Sequence, residues 1–451
     1  MSKAFHSVDD LESLSEKILS YSTSEWAEVS LASSESSHLR YAANTVTTSG
    51  ITTNTSVSIT SVNGRRAGSV STNDLSDDGL RAAVRRAEEI ASLTPENEEI
   101  MPPLEAGQKY LSGKQFDITT SDKDFAANER AKAAAFAILE AEGRKLVASG
   151  FLNTSVNNIA YRNTKGLFAS DRSTRTTFST TMRNQDGSSS GWSKRATHAI
   201  LNLDAKAAVE QASQKCRAWE DPITMDPGAY PAILEPSTVA DMLQQLVWSI
   251  DARDAEEGRS AFSRSEGRTA LNEDLFNSKV HIYSDPTSVV LPGGVYAGGG
   301  MPSEKIDWVR DGKLVNMTRD RYWAQKTGQR PVPGPANIFM DGGTQSPEEL
   351  ISTVKEGLLV TSFWYIRNVD DQTLLKTGLT RDGLFWVENG EIKSGVTNFR
   401  WNESPLNVLK NVVAMSKPVV TAPRDGWDGL PMMVPMLHVS SFNFSSISDA
   451  I

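Results

Sequence analysis

The chain has 451 residues, of which 39% are hydrophobic, so it is long enough to form two or three domains with substantial cores. Its 46 basic and 56 acidic residues give a formal net charge of -10. An acidic chain matches a phosphate backbone poorly, so we expect no direct nucleic-acid partner.

The sequence predicts a cytoplasmic protein that does not enter a membrane. The first residues, MSKAFHSVDDLESL, lack the apolar segment of a signal peptide. No later stretch is apolar and uncharged for long enough to span a bilayer. The single cysteine, Cys216, excludes an intrachain disulfide and fits a reducing compartment.

The first hundred residues predict a helix, a small sheet and a second helix. Ser7 is a suitable N-cap for a helix with apolar residues at helical spacing. Alternating segments rich in Thr and Ser follow, and Asn63-Gly64 suits a tight hairpin turn because both residues tolerate positive φ. The second helix should begin near Ser76 and stop before Pro95.

The next segment predicts one long helix and a run of short strands. The stretch from Pro102 to about Lys114 is aperiodic and contains Pro and Gly, which indicates a boundary. Residues 121–143 are rich in Ala and strongly helical in composition. Short strands should occupy residues 147–200, and Cys216 falls on an apolar helical stripe, which favours a core residue over a nucleophile.

Beyond Pro222 the sequence is mostly strands separated by turn dipeptides. Asp311-Gly312 and Asn389-Gly390 each lie within a hairpin pattern, and Ser346 opens a short helix with a capping box. We predict an α+β fold: an N-terminal mixed α/β region with small sheets and helices, and a C-terminal, predominantly antiparallel β domain with a few helices. The predicted domains are residues 1–101, 102–221 and 222–451.

One helix has a well-marked apolar face and an aromatic residue on the other side. Six apolar residues follow the helical series, namely Val239, Met242, Leu243, Leu246, Val247 and Ile250. Trp248 lies opposite this stripe at 100° per residue, beside Gln244. It either packs under a neighbouring loop or contacts something outside the chain. Gly258 should end the helix, with Arg253 paired to Glu257.

This helix resembles the signature helix of the TldD/PmbA family, which is understood to contain peptidases. The resemblance continues through five further segments and covers most of the chain, although the specific motifs lie in the second half. These segments are GRSAFSR (258–264), SPEELISTVKEGLL (346–359), WYIRNVDDQTLLKTGLTRDGLFWVENGEI (364–392), NFRWNESPLNVLKNV (398–412) and FNFSSISDAI (442–451).

In catalytic members the helix carries His-Glu-x-x-x-His, and a cysteine near the C-terminus completes a zinc site. Aligning GRSAFS without gaps places Leu243 and Trp248 at the histidines and Gln244 at the glutamate. Leucine and tryptophan have no lone pair for zinc, and an amide cannot take a proton from water as a carboxylate does. The segment GWDGLPMMVPMLHV (426–439) contains no cysteine. The resemblance therefore implies no catalytic and no metal-binding residue in this chain.

Other catalytic arrangements have weaker support in the sequence. The five histidines share no local ligand spacing, and His438, in an alternating strand pattern, is the least improbable site residue among them; they are His6, His38, His198, His281 and His438. The acids after Ile250 resemble a solvated helix face more than a cation site. LPGGVYAGGGMP (291–302) lacks the Lys-Ser/Thr of a phosphate loop, so we expect a mobile loop.

The resemblance implies a non-catalytic, TldE-like subunit of a heteromeric TldD-type zinc peptidase. The partner would be a TldD-like subunit carrying His-Glu-x-x-x-His and its zinc, and the substrate an unfolded peptide cut in a shared chamber. Trp248 and Asp251 would face that chamber or the subunit interface. A homodimer in isolation stays compatible with the sequence. Two alternatives remain open: a self-sufficient metallopeptidase using His438 and the acids after Ile250, or a homo-oligomeric peptide-binding protein.

Overall fold

The computed structural model describes residues 5–111, 113–425 and 430–449. Ten α-helices occur in these ranges, and most are short and lie between strands. They are α1 (Val8–Leu19), α2 (Asp77–Leu93), α3 (Ile118–Ser121), α4 (Lys123–Gly143), α5 (Ala205–Ala218), α6 (Pro236–Val247), α7 (Ala252–Glu256), α8 (Arg321–Thr327), α9 (Pro347–Ser352) and α10 (Pro405–Lys410). None of the helices in the described ranges is long and apolar enough to cross a membrane.

The first six strands form one antiparallel sheet, here called the first sheet, in the order β3-β2-β1-β4-β5-β6. Four of the six strands contain 16 or more residues. The strands are β1 (Trp26–Ala42), β2 (Thr45–Asn63), β3 (Arg66–Thr72), β4 (Val147–Asn163), β5 (Phe168–Arg183) and β6 (Ser190–Thr197).

The first sheet is built from two units of the same order, helix, three strands, helix. The units are α1-β1-β2-β3-α2 and α4-β4-β5-β6-α5, and they join through their first strands, β1 and β4. The last strand of each unit approaches the last helix at a glycine. A Cβ atom on Gly68 would lie 2.1 Å from the Ala87 carbonyl oxygen, and one on Gly191 would lie 2.2 Å from the Ala212 carbonyl oxygen. Only glycine permits either contact.

The remaining strands form two larger sheets and a small hairpin. The strands are β7 (Gly228–Leu234), β8 (Ile282–Ser284), β9 (Tyr296–Ala297), β10 (Met301–Pro302), β11 (Ile306–Arg310), β12 (Lys313–Leu314), β13 (Ile338–Met340), β14 (Glu356–Val360), β15 (Phe363–Asp370), β16 (Leu375–Thr380), β17 (Leu384–Glu388), β18 (Glu391–Gly395), β19 (Phe399–Glu403), β20 (Val412–Met415), β21 (Val419–Thr421), β22 (Met432–Val434) and β23 (Leu437–Ile447).

The second sheet has the order β15-β16-β19-β23-β7-β14-β17-β18, with β20 also paired to β23, and the third sheet has the order β12-β11-β8-β13-β22-β21. Two pairs, β7 with β14 and β13 with β22, are parallel, and the other pairs in these sheets are antiparallel. Helix α6 contacts β7 of the second sheet and β21 and β22 of the third, so it lies between the two sheets. Its buried side chains share one large core with both sheets.

The predicted fold class is confirmed, as are several local features. Ser7 and Ser346 each make a capping box. The predicted hairpin between β2 and β3 forms, but its turn residues are Gly64 and Arg65, because Asn63 ends β2 and pairs with Arg66. Cys216 is fully buried in the core under α5. The prediction of short strands over 147–200 is wrong, because β4 contains 17 residues and β5 contains 16. The boundaries after residues 101 and 221 stay predictions.

Candidate functional site

Helix α6 is anchored at its start by a buried ion pair. Pro236 occupies the first turn, where its missing N–H would have no helical partner. The preceding residue, Glu235, accepts a hydrogen bond from Lys215 of α5 at 2.7 Å, and both side chains are about nine-tenths buried. The pair therefore links α5, which packs on the first sheet, to the start of α6.

The end of α6 differs from the prediction. The helix stops at Val247, with Trp248 as its C-cap, and a separate helix, α7, begins after Asp251. Gly258, with φ of +80°, follows α7 instead of ending α6. The predicted pairing of Arg253 with Glu257 is confirmed at 3.3 Å, within α7 and its cap.

The three positions aligned with the zinc motif have different environments. Leu243 is fully buried in the core between the second and third sheets. Gln244 is also fully buried, whereas Trp248 is 55% exposed. The expectation of a polar face beside Trp248 is wrong, since Asp241 and Gln244 are both inside the protein. Leucine and tryptophan have no ligand atom for zinc, so at most one of the three side chains, that of Gln244, carries a donor atom. A zinc site needs at least three protein ligands, so these positions do not fit the metal.

Asp241, one turn before Gln244, is buried, although the helical wheel places it with Gln244 on the polar face. One of its carboxylate oxygens accepts a hydrogen bond from the Asp425 backbone N–H at 3.2 Å. The other, Oδ2, is buried with no hydrogen-bond partner. Burial raises the pKa of Asp241 to about 7. The carboxyl group thus fixes the segment that follows β21 against α6.

An arginine beside this contact joins the first sheet to the second. Arg424 pairs with the buried Asp382, which also accepts a hydrogen bond from Ser190 of β6 at 2.7 Å. Its guanidinium lies 4.6 Å from the ring centre of Trp192 and 5.5 Å from that of Trp364. Burial would raise the pKa of Asp382, but the charge of Arg424 keeps it below its usual value. No sequence pattern indicated this junction.

Asp251 and Trp248 do not share a cavity, although both were predicted near the chamber or interface. Asp251 caps α7, accepts a hydrogen bond from Thr318 Oγ1 at 3.1 Å, and lines an open cavity of about 480 Å³ with Glu99 and Arg321. Trp248 is absent from the walls of that cavity. Its contact with a chamber or a subunit interface stays a prediction.

The alternative metal site does not assemble. His438 lies in β23 between Ile233 and Ala414, and burial lowers its pKa. Each of the acids Asp254, Glu256 and Glu257 pairs with an arginine instead, at distances of 2.5 to 2.8 Å. Across residues 5–111, 113–425 and 430–449, no three His, Cys, Asp or Glu side chains are grouped to hold a metal ion.

A larger cavity, of about 880 Å³, separates the first sheet from the C-terminal region. One wall consists of residues from β4, β5 and β6 and the turn after β6. The rest of the lining consists of residues between 289 and 297, residues 334–336, and parts of β21 and the segment before β22. This volume is typical of a small-molecule or peptide site. The predicted glycine-rich loop 291–302 thus forms part of a cavity wall.

Three family models match consecutive parts of the chain. They describe PmbA/TldA metallopeptidase domain 1 (residues 27–91), the central domain (117–217) and the C-terminal domain (227–446). The chain belongs to the TldD/PmbA family. No curated protein matches it.

Solved structures show the TldD/PmbA fold over almost the whole chain. TldE from Thermococcus kodakarensis has a TM-score of 0.84 and 17% identity, covering 96% of this chain and 99% of its own. A protein from Thermotoga maritima described as a modulator of DNA gyrase has a TM-score of 0.81 and 17% identity, with the same coverage. A similarly described protein from Bacteroides thetaiotaomicron has a TM-score of 0.81 and 18% identity, covering 97% and 99%.

The TldD/PmbA resemblance drawn from the sequence is therefore confirmed at the level of family and fold. The segment in which a zinc-binding cysteine was sought, 426–439, begins with four residues that lie outside the described ranges. Its sequence contains no cysteine.

Proposed function

We propose that this chain is the non-catalytic, TldE-like subunit of a heteromeric TldD-type zinc metallopeptidase. One observation carries the proposal: the helix that would hold the zinc motif is present and fully packed, with Leu243 and Gln244 inside the core and Trp248 at its exposed end. A zinc hydrolase needs neutral imidazole or thiolate ligands and a carboxylate that accepts a proton from water. This helix supplies none of them.

The partner in this proposal is a TldD-like subunit with His-Glu-x-x-x-His, which would hold the zinc. Unfolded peptides would be cut in a chamber that the two subunits enclose in the cytoplasm. An extended peptide can be held through its backbone at a sheet edge, so such a chamber would select conformation before sequence. The present chain would form part of the wall and stabilise its partner.

Co-expression tests this function. The chain should co-purify with a TldD-like protein that carries the zinc motif, and the mixture should cleave an unstructured peptide that this chain alone leaves intact. A matched control uses the TldD-like protein with its motif glutamate changed to glutamine, which should keep the complex and abolish cleavage. Stoichiometric zinc together with turnover by the present chain alone would overturn the proposal.

The exposed end of α6 is the proposed contact with the chamber or the partner. Trp248 is 55% exposed at the C-cap, and an aromatic side chain of this size offers much apolar area to a partner. Asp251, three residues later, caps α7 and lines an open cavity. Co-purification and peptide cleavage that are both unchanged in Trp248→Ala would remove this residue from the proposal.

A further inference from the structure

The large cavity is lined by an arginine that makes no ion pair within the described residues. Arg195 lies in β6, on the edge of the first sheet, and lines the cavity. Its guanidinium donates to Ser193 Oγ at 2.9 Å, to the Lys194 carbonyl at 2.9 Å and to Gln211 Oε1 at 3.1 Å. All three acceptors are neutral. Since a guanidinium has five N–H donors, two of those on Arg195 have no hydrogen-bond acceptor within the described residues.

The acids of the cavity do not neutralise Arg195. Arg195 pairs across the sheet with Phe178 of β5, and Asp171 lies seven residues before Phe178 on the same strand. At ~3.3 Å per residue, the backbones of Asp171 and Arg195 are therefore about 23 Å apart along the strand direction. Asp171 also accepts hydrogen bonds from Gln115 and from the Val295 N–H. Asp204 caps α5 through the Ala207 N–H and makes no ion pair with Arg195 within the described residues.

The burial of Arg195 among neutral acceptors is unfavourable and favours the binding of an anion. Burial lowers the pKa of Arg195 in spite of the carboxylates of Glu235 and Asp204 in its surroundings. A partly buried cation with only neutral acceptors is stabilised by an oxyanion, and a carboxylate matches the fork of guanidinium donors.

The cavity is also lined by aliphatic side chains of the C-terminal region. Val289 and Val290 are 72% and 54% exposed, although both line the cavity, and Leu291, Val420 and Leu430 line it as well. Adjacent exposed aliphatic side chains on a concave surface indicate a ligand with its own apolar group. The cavity thus offers both a cationic group and aliphatic side chains to a ligand.

We propose that the large cavity binds an α-carboxylate that carries an aliphatic side chain, with Arg195 holding the carboxylate and Val289, Val290 and Leu291 contacting the side chain. Such a group ends a peptide chain and also occurs in a released amino acid. The inference rests on the proposed function, because a subunit of a peptidase chamber encounters both. It adds a binding site on the non-catalytic subunit itself.

Calorimetric titration of the full-length chain alone tests this site. The probes are the tripeptide Ala-Ala-Leu, the same peptide with a C-terminal amide, and free leucine. The acid should bind about tenfold or more tightly than the amide, because only the acid forms a charge-assisted pair with Arg195. Tighter binding of the tripeptide than of leucine assigns the site to peptide ends, and equal binding assigns it to released product.

Two variants and one control complete the test. Arg195→Gln and Val290→Asp should each weaken binding of Ala-Ala-Leu about tenfold or more. Arg172→Gln should bind as the wild type does, because Arg172 lies over the ring of Phe116 at 3.8 Å and is outside the cavity. Thermal unfolding checks that each variant folds. If Arg195→Gln does not fold, the proposal is decided by the ratio of the affinities for the acid and the amide peptides and by the affinity of Val290→Asp for Ala-Ala-Leu.

Equal binding of acid and amide, an unchanged affinity in Arg195→Gln, or no binding of any probe would each overturn the site. These measurements need no partner subunit. Failure of complex formation with a TldD-like protein would therefore count against the proposed function and leave the binding result standing on its own.

Discussion

The two ends of α6 differ in how far they are buried. Its first part is enclosed: Glu235 pairs with Lys215, and Asp241, Leu243 and Gln244 are all buried. Its last residue, Trp248, is more than half exposed. The difference indicates that the first part holds the second and third sheets together, whereas the end remains available for a contact outside the chain.

The largest loss of stability is expected from a substitution at the start of α6. Lys215→Met should lower the free energy of unfolding by ~3 to 5 kcal/mol, because it leaves the buried Glu235 carboxylate without its partner. Urea denaturation measures this loss. Lys17→Met is the control: Lys17 pairs with Asp77 on the surface, and removal of an exposed pair should leave the free energy of unfolding nearly unchanged. Equal losses in the two variants would contradict the anchoring role of Glu235.

Truncation in the middle of the helix should also be costly. Leu243→Ala removes a fully buried side chain from the core between the second and third sheets. A loss of ~2 to 5 kcal/mol in the free energy of unfolding is expected from the lost burial and the cavity that remains. The same denaturation experiment applies. A change below about 1 kcal/mol would show that this motif position is not part of the core.

Asp241 makes the first part of the helix sensitive to pH. Its folded-state pKa of about 7 lies above the usual 3.8, so the native state binds more protons between these values and the free energy of unfolding falls as pH rises. Asp241→Asn removes this dependence while keeping an oxygen acceptor for the Asp425 N–H. The stability of the variant relative to the wild type should therefore grow by about 3 kcal/mol from pH 5 to pH 8. Denaturation midpoints at both pH values measure it, and a constant difference would contradict the raised pKa.

The smallest change in stability is expected at the exposed end. Trp248→Ala should alter the free energy of unfolding by no more than ~0.5 kcal/mol, since most surface substitutions stay within this range. Co-purification with a TldD-like partner should nevertheless decrease. Leu243→Ala is the matched comparison, because it changes the same helix on its buried side. A large loss of stability in Trp248→Ala would show that the tryptophan packs within the chain.

Local features of the chain were predictable where neighbouring residues decide them. Ser7 and Ser346 cap helices because each has an acidic side chain three residues later, and Gly64 permits the β2–β3 turn because it accepts a φ of +58°. The wrong predictions concern longer distances. A helical wheel placed Asp241 and Gln244 on a polar face, but packing on more than one side buries them.

The sequence by itself determined the family, the α+β class, most caps and turns, and the lack of ligands at Leu243, Gln244 and Trp248, because each depends on residue identity at a position or on short spacing. Only the tertiary structure decided that two helix-and-strand units share one sheet, that Asp241 is buried, and that Arg195 and Val290 line the same cavity. These features depend on contacts between segments that are distant in the sequence. The free energy of burying a charge or an apolar surface depends on those contacts, so no local stretch of sequence determines it.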